Sequence, residues 1–169
     1  PLPGYAVDIW LGVIAPAGPA KPERVAQVEP LFASFGLRAR LYPSCHAPHA
    51  PHDFPPGDDA LRLGALHAAF ADADVRAVFC LRGGWGSARL LPHIDSALLR
   101  AHVKPFIGYS DITALHALLQ REGLVSFHAP MPASDLVDSG ADDDAAALFA
   151  LLMQPLPAGH VHAPALLSG

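Results

Sequence analysis

The sequence FIGYSDIT occupies residues 106–113 and contains the strongest fold signal in the chain. A short apolar run ends in GYSD, and a helical pattern of apolar residues begins at once. A strand, a tight turn and a helix in this order lift a serine hydroxyl above a sheet, where helix N–H groups favour developing negative charge. The pattern leaves two interpretations of Ser110 open, a nucleophile and a simple helix N-cap, and the departure from G-x-S-x-G, with Asp111 and Ile112 after the serine, favours the cap.

A second glycine-containing turn, RGGWGS at residues 82–87, follows another apolar run. Turns at the carboxyl ends of parallel strands face one crevice, which is where open α/β sheets bind ligands. Together the two turns indicate a serine nucleophile with an oxyanion hole. A ligand-free tight turn and a phosphate-binding turn are the alternatives, although the spacing does not match G-x-G-x-x-G.

Strand and helix patterns alternate along the whole chain. Apolar runs predict strands at residues 7–15, 37–42, 75–81, 103–108 and 124–128. Helical periodicity predicts helices at residues 21–36, 58–70, 87–91, 96–102, 111–122 and 142–153. This alternation predicts an α/β fold, a three-layer α/β/α sandwich with a mainly parallel sheet of the flavodoxin-like or class I glutamine amidotransferase-like kind.

Composition narrows the function classes. The 169 residues are 51% hydrophobic and only 16% charged, which is consistent with a face covered by a partner domain or by a second copy in a homodimer. The net charge of −5 and the lack of a basic cluster argue against nucleic acid and anionic membrane surfaces. The apolar run at residues 7–15 is too short to span a bilayer, and no signal-peptide pattern is visible, so a cytoplasmic location is expected.

Cysteine and histidine residues raise the question of a metal site. Cys45 and Cys80 are expected to be free thiols in a reducing compartment. The run CHAPHAPHD at residues 45–53 offers several possible ligands, but its prolines and its spacing do not suit a zinc site. The segment 43–57 is therefore predicted to be a solvent-exposed loop, with no metal and no cofactor. His116 is expected to be a surface residue or a satisfied polar residue.

Two specific motifs resemble those of the LD-carboxypeptidases, the serine peptidases that trim muropeptides, with which the microcin-immunity peptidases belong. The likeness is carried by RGGWGSARLL at 82–91, KPFIGYSDITALH at 104–116, GLVSFHAPM at 123–131, VIAPAGP at 13–19 and the helix pattern at 59–72. It departs from the family where Trp85 replaces a usual tyrosine, Ala17 a common serine and Ala129 a common glycine.

This resemblance implies a role for each residue of the two turns. Ser110 would attack the substrate carbonyl, and the N–H groups of Asp111 and Gly84 would form the oxyanion hole. The Asp111 side chain is expected to stabilise the first turn of the following helix. The remaining turn residues are expected to contact substrate: Arg82, Gly83 and Trp85. A role in stabilising the fold is the alternative for Arg82 and Trp85.

The resemblance also implies a domain organisation. Residues 1–153 would form the N-terminal, nucleophile-bearing domain and residues 154–169 the start of an interdomain linker. The catalytic glutamate and histidine would come from a C-terminal domain absent from this chain, so this part alone is expected to be inactive. A base within the chain is the alternative, with His128 oriented by Asp135 or Asp138.

The activity implied for the whole enzyme is hydrolysis of the L,D-amide that holds the terminal D-alanine of muropeptide tetrapeptides, in peptidoglycan recycling. The expected partners are a muropeptide or peptide substrate and the enzyme's own C-terminal domain. Two other functions stay open. One is a microcin-immunity peptidase acting on a peptide–nucleotide, and the other is a non-enzymatic α/β binding domain.

Overall fold

Five parallel strands form the central sheet of the computed structural model, which describes residues 8–48, 58–139 and 143–153. The strands are β1 (Trp10–Ile14), β2 (Arg38–Leu41), β3 (Val75–Cys80), β4 (Phe106–Gly108) and β5 (Ser126–His128). Their order is β2-β1-β3-β4-β5, and each neighbouring pair is parallel. This is the flavodoxin-like order, and it confirms the predicted fold class.

Helices connect the strands and cover the sheet. The α-helices are α1 (Pro22–Val25), α2 (Val28–Ser34), α3 (Asp59–Ala71), α4 (Ser96–Ala101), α5 (Thr113–Arg121), α6 (Val137–Ser139) and α7 (Asp143–Met153). Short 3-10 helices lie at Pro43–His46, Ser87–His93 and Ser110–Ile112, and a π-helix lies at Pro132–Leu136. Among the described residues, none of these helices is both long and apolar enough to cross a lipid bilayer.

Two buried clusters lie on opposite faces of the sheet. Alternate residues of β3 point to opposite sides, so Phe79 packs in one cluster and Val78 in the other. On the first face the ring of Phe79 packs against two other rings. It meets Phe32 edge-on, with 5.3 Å between the ring centroids, and it is tilted against Phe149. On the second face α3, α4 and α5 supply the buried side chains. Helices on both faces of one sheet make the three layers.

The helix predicted at residues 21–36 is divided into α1 and α2. Pro30 explains the break, because its nitrogen has no hydrogen to donate to the carbonyl of Ala26. Proline is tolerated in the first turn of a helix, and Pro30 lies in the first turn of the new helix α2. The sequence pattern therefore located the apolar face correctly but missed the interruption.

The segment after β2 differs from the predicted exposed loop. Cys45 is only 2% exposed, and its Sγ donates to the carbonyl oxygen of Val13 at 3.1 Å. Ser44 is also buried, and its Oγ accepts from the N–H of Ala15 at 3.0 Å. The start of this segment folds back over the end of β1 because those backbone groups need partners. Burial raises the pKa of the Cys45 thiol to about 12.

Both cysteines are free thiols, as predicted, and Cys80 is completely buried. Within the ranges that the structure describes, no three histidine, cysteine or acidic side chains converge in a way that suits a metal ion. Residues 49–57, which contain most of the histidine run, lie outside the described residues, as do residues 154–169 with the predicted linker. The loop at residues 49–57 and the linker at residues 154–169 therefore stay predictions.

Candidate active site

Ser110 sits on a sharp turn between β4 and α5. Its φ of +63° is left-handed, and it is the one non-glycine residue with positive φ among those described. A left-handed non-glycine residue costs about 1–2 kcal/mol and is a mark of functional turns. The side chain is exposed, and Ser110 occupies neither cap position, because Tyr109 precedes the 3-10 helix and Ile112 precedes α5. Ser110 therefore has the geometry of a nucleophile elbow rather than that of an N-cap.

The glycine turn after β3 lies directly against this elbow. A Cβ added to Gly83 would come within 2.9 Å of the Ser110 Cβ and 3.1 Å of its Oγ. Real Cβ atoms essentially never approach within 3.0 Å of another atom, so the 2.9 Å contact with the Ser110 Cβ means that any other residue at position 83 would displace one of the two turns. The predicted proximity of the two turns is therefore present in the structure.

The loop after β1 completes the arrangement. The N–H of Gly18 donates to the carbonyl oxygen of Gly83 at 3.1 Å. In a trans peptide the C=O and the next N–H point in opposite directions, so the N–H of Gly84 is directed away from the β1 loop. Gly84 has φ +127°, and a Cβ there would lie 2.9 Å from the Gly18 nitrogen. The β1 loop thus fixes the orientation of the Gly83–Gly84 peptide.

Two hydrogen bonds, both donated by Ser87, join the end of the glycine turn to Asp111 in the elbow. The N–H of Ser87 donates to Asp111 Oδ2 at 2.8 Å, and the Ser87 hydroxyl donates to the Asp111 carbonyl oxygen at 2.6 Å. Ser87 is completely buried. Asp111 lies in the first turn after the elbow, as expected, and its carboxylate also holds the neighbouring glycine turn. The elbow turns this carboxylate towards the neighbouring turn, where Ser87 offers a buried N–H.

The other predicted turn residues lie at the mouth of the same region. Arg82 is half-buried, and its Nη1 donates to the carbonyl oxygen of Pro19 at 3.2 Å. Arg82 therefore connects the glycine turn to the β1 loop. Trp85 is 39% exposed and is among the few large hydrophobic side chains at the surface. Trp85 lies two residues after Gly83 in the same turn, and a large apolar ring exposed there is suited to contact a substrate.

Sequence reasoning missed a support on the far side of the elbow. The Tyr109 hydroxyl donates to Asp135 Oδ1 at 2.9 Å, and Asp135 Oδ2 accepts from the N–H of Met131 at 3.0 Å. The hydrogen bond to the Asp135 carboxylate raises the pKa of Tyr109. Ala133 in the π-helix donates its N–H to Leu81 at 2.9 Å, so this segment contacts the ends of β3 and β4 together. Single-turn π-helices are frequent at functional sites.

The alternative base, His128, is exposed at the end of β5, with its ring 5.7 Å from that of Tyr109. The carboxylates considered as its orienters have other partners. Asp138 pairs with Arg24 at 3.0 Å, and Asp135 accepts from Tyr109. His116 is a satisfied polar residue, as expected, because its ring nitrogens lie within hydrogen-bond distance of Gly108 O and Ser126 Oγ.

Fold and turns together define a flavodoxin-like α/β domain with an exposed serine on a left-handed turn between β4 and α5. Residues 11–129 match the LD-carboxypeptidase N-terminal domain, and the chain belongs to that family. It is 42% identical over 134 residues to a Bacillus subtilis strain 168 protein named "probable murein peptide carboxypeptidase". That alignment covers 79% of this chain and 40% of the relative, so the chain spans about two fifths of the length of this curated relative.

Solved structures give the same assignment. Muramoyltetrapeptide carboxypeptidase from Oxalobacter formigenes superposes with a TM-score of 0.74 at 28% identity, covering 86% of this chain and 48% of that one. An MccF-like protein from Bacillus anthracis strain Ames superposes with a TM-score of 0.67 at 29% identity. The superposition covers 75% of this chain and 39% of that one. Both neighbours therefore contain a large part that this chain does not span.

Proposed function

We propose that this chain is the nucleophile-bearing N-terminal domain of a serine LD-carboxypeptidase, with Ser110 as the nucleophile. The observation that carries the proposal is the left-handed turn at Ser110, which keeps the side chain exposed beside Gly83. A fold that only needed a helix cap here would have no reason to hold a serine in a strained conformation. Membership of the family supports the same chemistry.

In the proposed reaction the Ser110 hydroxyl attacks the carbonyl carbon of an amide and forms a tetrahedral intermediate. The N–H groups of Asp111 and Gly84 donate to the negative oxygen, and each such donor contributes on the order of 3 kcal/mol in comparable sites. A histidine oriented by a glutamate takes the serine proton and delivers it to the leaving amine. The same histidine then takes a proton from a water molecule, which attacks the acyl-enzyme, and returns that proton to the Ser110 oxygen as the carboxylic acid leaves.

We assign the base and its orienter to a second domain. Residues 1–153 would be the nucleophile domain, residues 154–169 the start of the linker, and the histidine and glutamate would follow in the C-terminal part. Support comes from the length of the relatives, of which this chain spans about two fifths. The partners found for Asp135 and Asp138 also favour a base from outside the described residues.

The proposed substrate is a muropeptide tetrapeptide that loses its terminal D-alanine, in cytoplasmic peptidoglycan recycling. Arg82, Gly83 and Trp85 would contact this peptide at the mouth of the site. The name of the Bacillus subtilis relative, at 42% identity, favours this substrate. Immunity-type hydrolysis of a peptide–nucleotide is the second candidate, because an MccF-like structure is similar at 29% identity.

The test uses the full-length enzyme and measures release of D-alanine from a muropeptide tetrapeptide with a coupled D-amino acid oxidase assay. We expect turnover by the wild type, loss of at least about a thousandfold in Ser110→Ala, and full activity in the control Ser34→Ala, a serine on α2. A peptide–nucleotide measured in parallel separates the two substrates. Undiminished turnover by Ser110→Ala would overturn the proposal.

A further inference from the structure

Arg62 is a buried charged residue on the helix that precedes β3. Its side chain is only 4% exposed, although arginine is almost never fully buried unless it is paired. It lies on α3, behind the loops that form the candidate site. A buried guanidinium is costly to remove from water, so its contacts need an explanation.

Those contacts join two of the three site loops. Nη1 donates to the carbonyl oxygen of Pro16 at 2.5 Å and to that of Gly86 at 3.1 Å. Pro16 belongs to the loop after β1, and Gly86 ends the glycine turn after β3. One guanidinium group therefore holds both loops at a fixed separation.

An acidic partner neutralises this charge. Asp59, one turn earlier on α3, pairs with Arg62 Nη2, and its other oxygen accepts from Arg89 Nε at 2.9 Å. The hydrogen bonds from Arg89 and Arg62 hold the pKa of Asp59 below its usual value. Arg89 is 47% exposed in its side chain and lies in the 3-10 helix after the glycine turn. The two arginines thus share one carboxylate but occupy different environments.

The two residues that Arg62 binds are close in sequence to the residues that orient the N–H groups of Gly84 and Asp111. Pro16 lies two residues before Gly18, whose N–H fixes the Gly83–Gly84 peptide. Gly86 lies next to Ser87, which holds Asp111 by two hydrogen bonds. A shift of either loop would therefore change the direction of an N–H assigned to the oxyanion hole.

We propose that Arg62 is a positioning residue, which acts through Pro16 and Gly86 to aim the N–H groups of Gly84 and Asp111 at the oxyanion. This inference rests on the proposed function of Ser110. Lysine would not substitute, because the loop carbonyls are bound by Nη1 and the Asp59 carboxylate by Nη2, whereas lysine has a single terminal nitrogen for all three acceptors. The effect belongs to the transition state, so it should appear in kcat rather than in KM.

The experiment compares Arg62→Lys with Arg89→Lys in the full-length enzyme. The same chemical change is made at two arginines that share Asp59, but only Arg62 contacts the loop carbonyls. We expect Arg62→Lys to lower kcat by about a hundredfold, with KM changed by less than about threefold. Its affinity for a phosphonate analogue of the tetrahedral intermediate should fall in parallel. Arg89→Lys should match the wild type in all three constants.

Each variant is assayed at least 10 °C below its own melting temperature, so that unfolding does not contribute to the rates. A wild-type kcat in folded Arg62→Lys, or equal losses in both lysine variants, would overturn the positioning role. An equal loss of affinity for substrate and analogue would do the same, because it would indicate uniform binding. If Ser110→Ala stays active, the proposed function fails first; if it is inactive while Arg62→Lys is normal, only this inference fails.

Discussion

Ser87 and Asp111 hold each other through two hydrogen bonds, from the Ser87 N–H to the Asp111 carboxylate at 2.8 Å and from the Ser87 hydroxyl to the Asp111 carbonyl at 2.6 Å. Each residue follows one of the two site turns, so the pair fixes the turns relative to each other. The carboxylate also satisfies an N–H that belongs to a completely buried residue. Such a contact links the stability of the domain to the geometry of its site.

Replacing Asp111 with alanine should therefore destabilise the chain. The buried Ser87 N–H would lose a charged acceptor, which costs about 1.5–3 kcal/mol in the free energy of unfolding. Asp111→Asn keeps an acceptor oxygen and should cost less. Urea unfolding measures both, with Asp138→Ala as the control, because that carboxylate is 60% exposed in its pair with Arg24 and should cost less than about 1 kcal/mol. Equal losses in Asp111→Ala and Asp138→Ala would contradict the structural role of the pair.

A methyl group at position 83 should impair catalysis more than folding. In Gly83→Ala the new Cβ would meet the Ser110 Cβ and Oγ, so the nucleophile must move. A displacement of about 1 Å at a reacting group costs about a hundredfold in rate. The matched control is Gly64→Ala on α3, where an added Cβ meets nothing within 4 Å and helix propensity favours alanine. D-Alanine release by the two full-length variants gives the comparison, and equal rates would show that Ser110 tolerates the contact.

The strain at Ser110 predicts an unusual order of stabilities. Glycine adopts φ of +63° without the cost that any Cβ imposes, so Ser110→Gly should be more stable than Ser110→Ala by about 1 kcal/mol. Both variants lack the hydroxyl, so the difference isolates the backbone. Thermal and urea unfolding of the two chains test it. If Ser110→Ala proves the more stable, the turn is not left-handed in solution.

Acid stability should depend on a carboxylate far from the site loops. Partial burial raises the pKa of Asp72, but hydrogen bonds from Arg40 and Tyr42 outweigh it and hold that pKa at about 2. The unfolded value is about 3.9, so this carboxylate stabilises the fold above about pH 4, and the contribution is lost as the pH falls towards 2.

Asp72→Asn should therefore flatten the fall in unfolding free energy between pH 5 and pH 2.5, measured by urea titration. Asp74→Asn is the control, because Asp74 is 70% exposed and lies 3.5 Å from the same arginine. An unchanged acid profile in Asp72→Asn would mean that the pair with Arg40 contributes no net stability.

Local patterns in the sequence predicted the parts of the fold that are themselves local. The strand, turn and helix around Ser110 and the glycine turn each lie within about ten consecutive residues, and each is present in the structure. The helix predicted at residues 58–70 is present as α3, and Asp58 caps it by accepting from the N–H groups of Ala60 and Leu61. Segment boundaries were less accurate, and β4 is only 3 residues long.

The supports of the candidate site could not be predicted in this way, because each joins residues distant in the chain. Ser87 and Asp111 lie 24 positions apart, and Tyr109 and Asp135 lie 26 apart. The sequence around Arg62 is that of an ordinary amphipathic helix. Its hydrogen bond to Pro16, 46 residues away, is visible only in the folded structure. Side-chain partners across a fold leave no periodic signal in one sequence.

The central position of β1 has a consequence for synthesis of the chain on the ribosome. One edge of β1 pairs with β2, but the other must wait for β3, since Leu11 pairs with Ala77 about 65 residues later. At typical rates of 5–20 residues per second, that edge stays open for roughly 3–13 seconds. An open apolar strand edge invites pairing with other chains. Because β1 lies next to β3, its loop can reach the glycine turn in the folded chain. For the same reason, the nascent chain is most prone to aggregate before residue 80 has emerged from the ribosome.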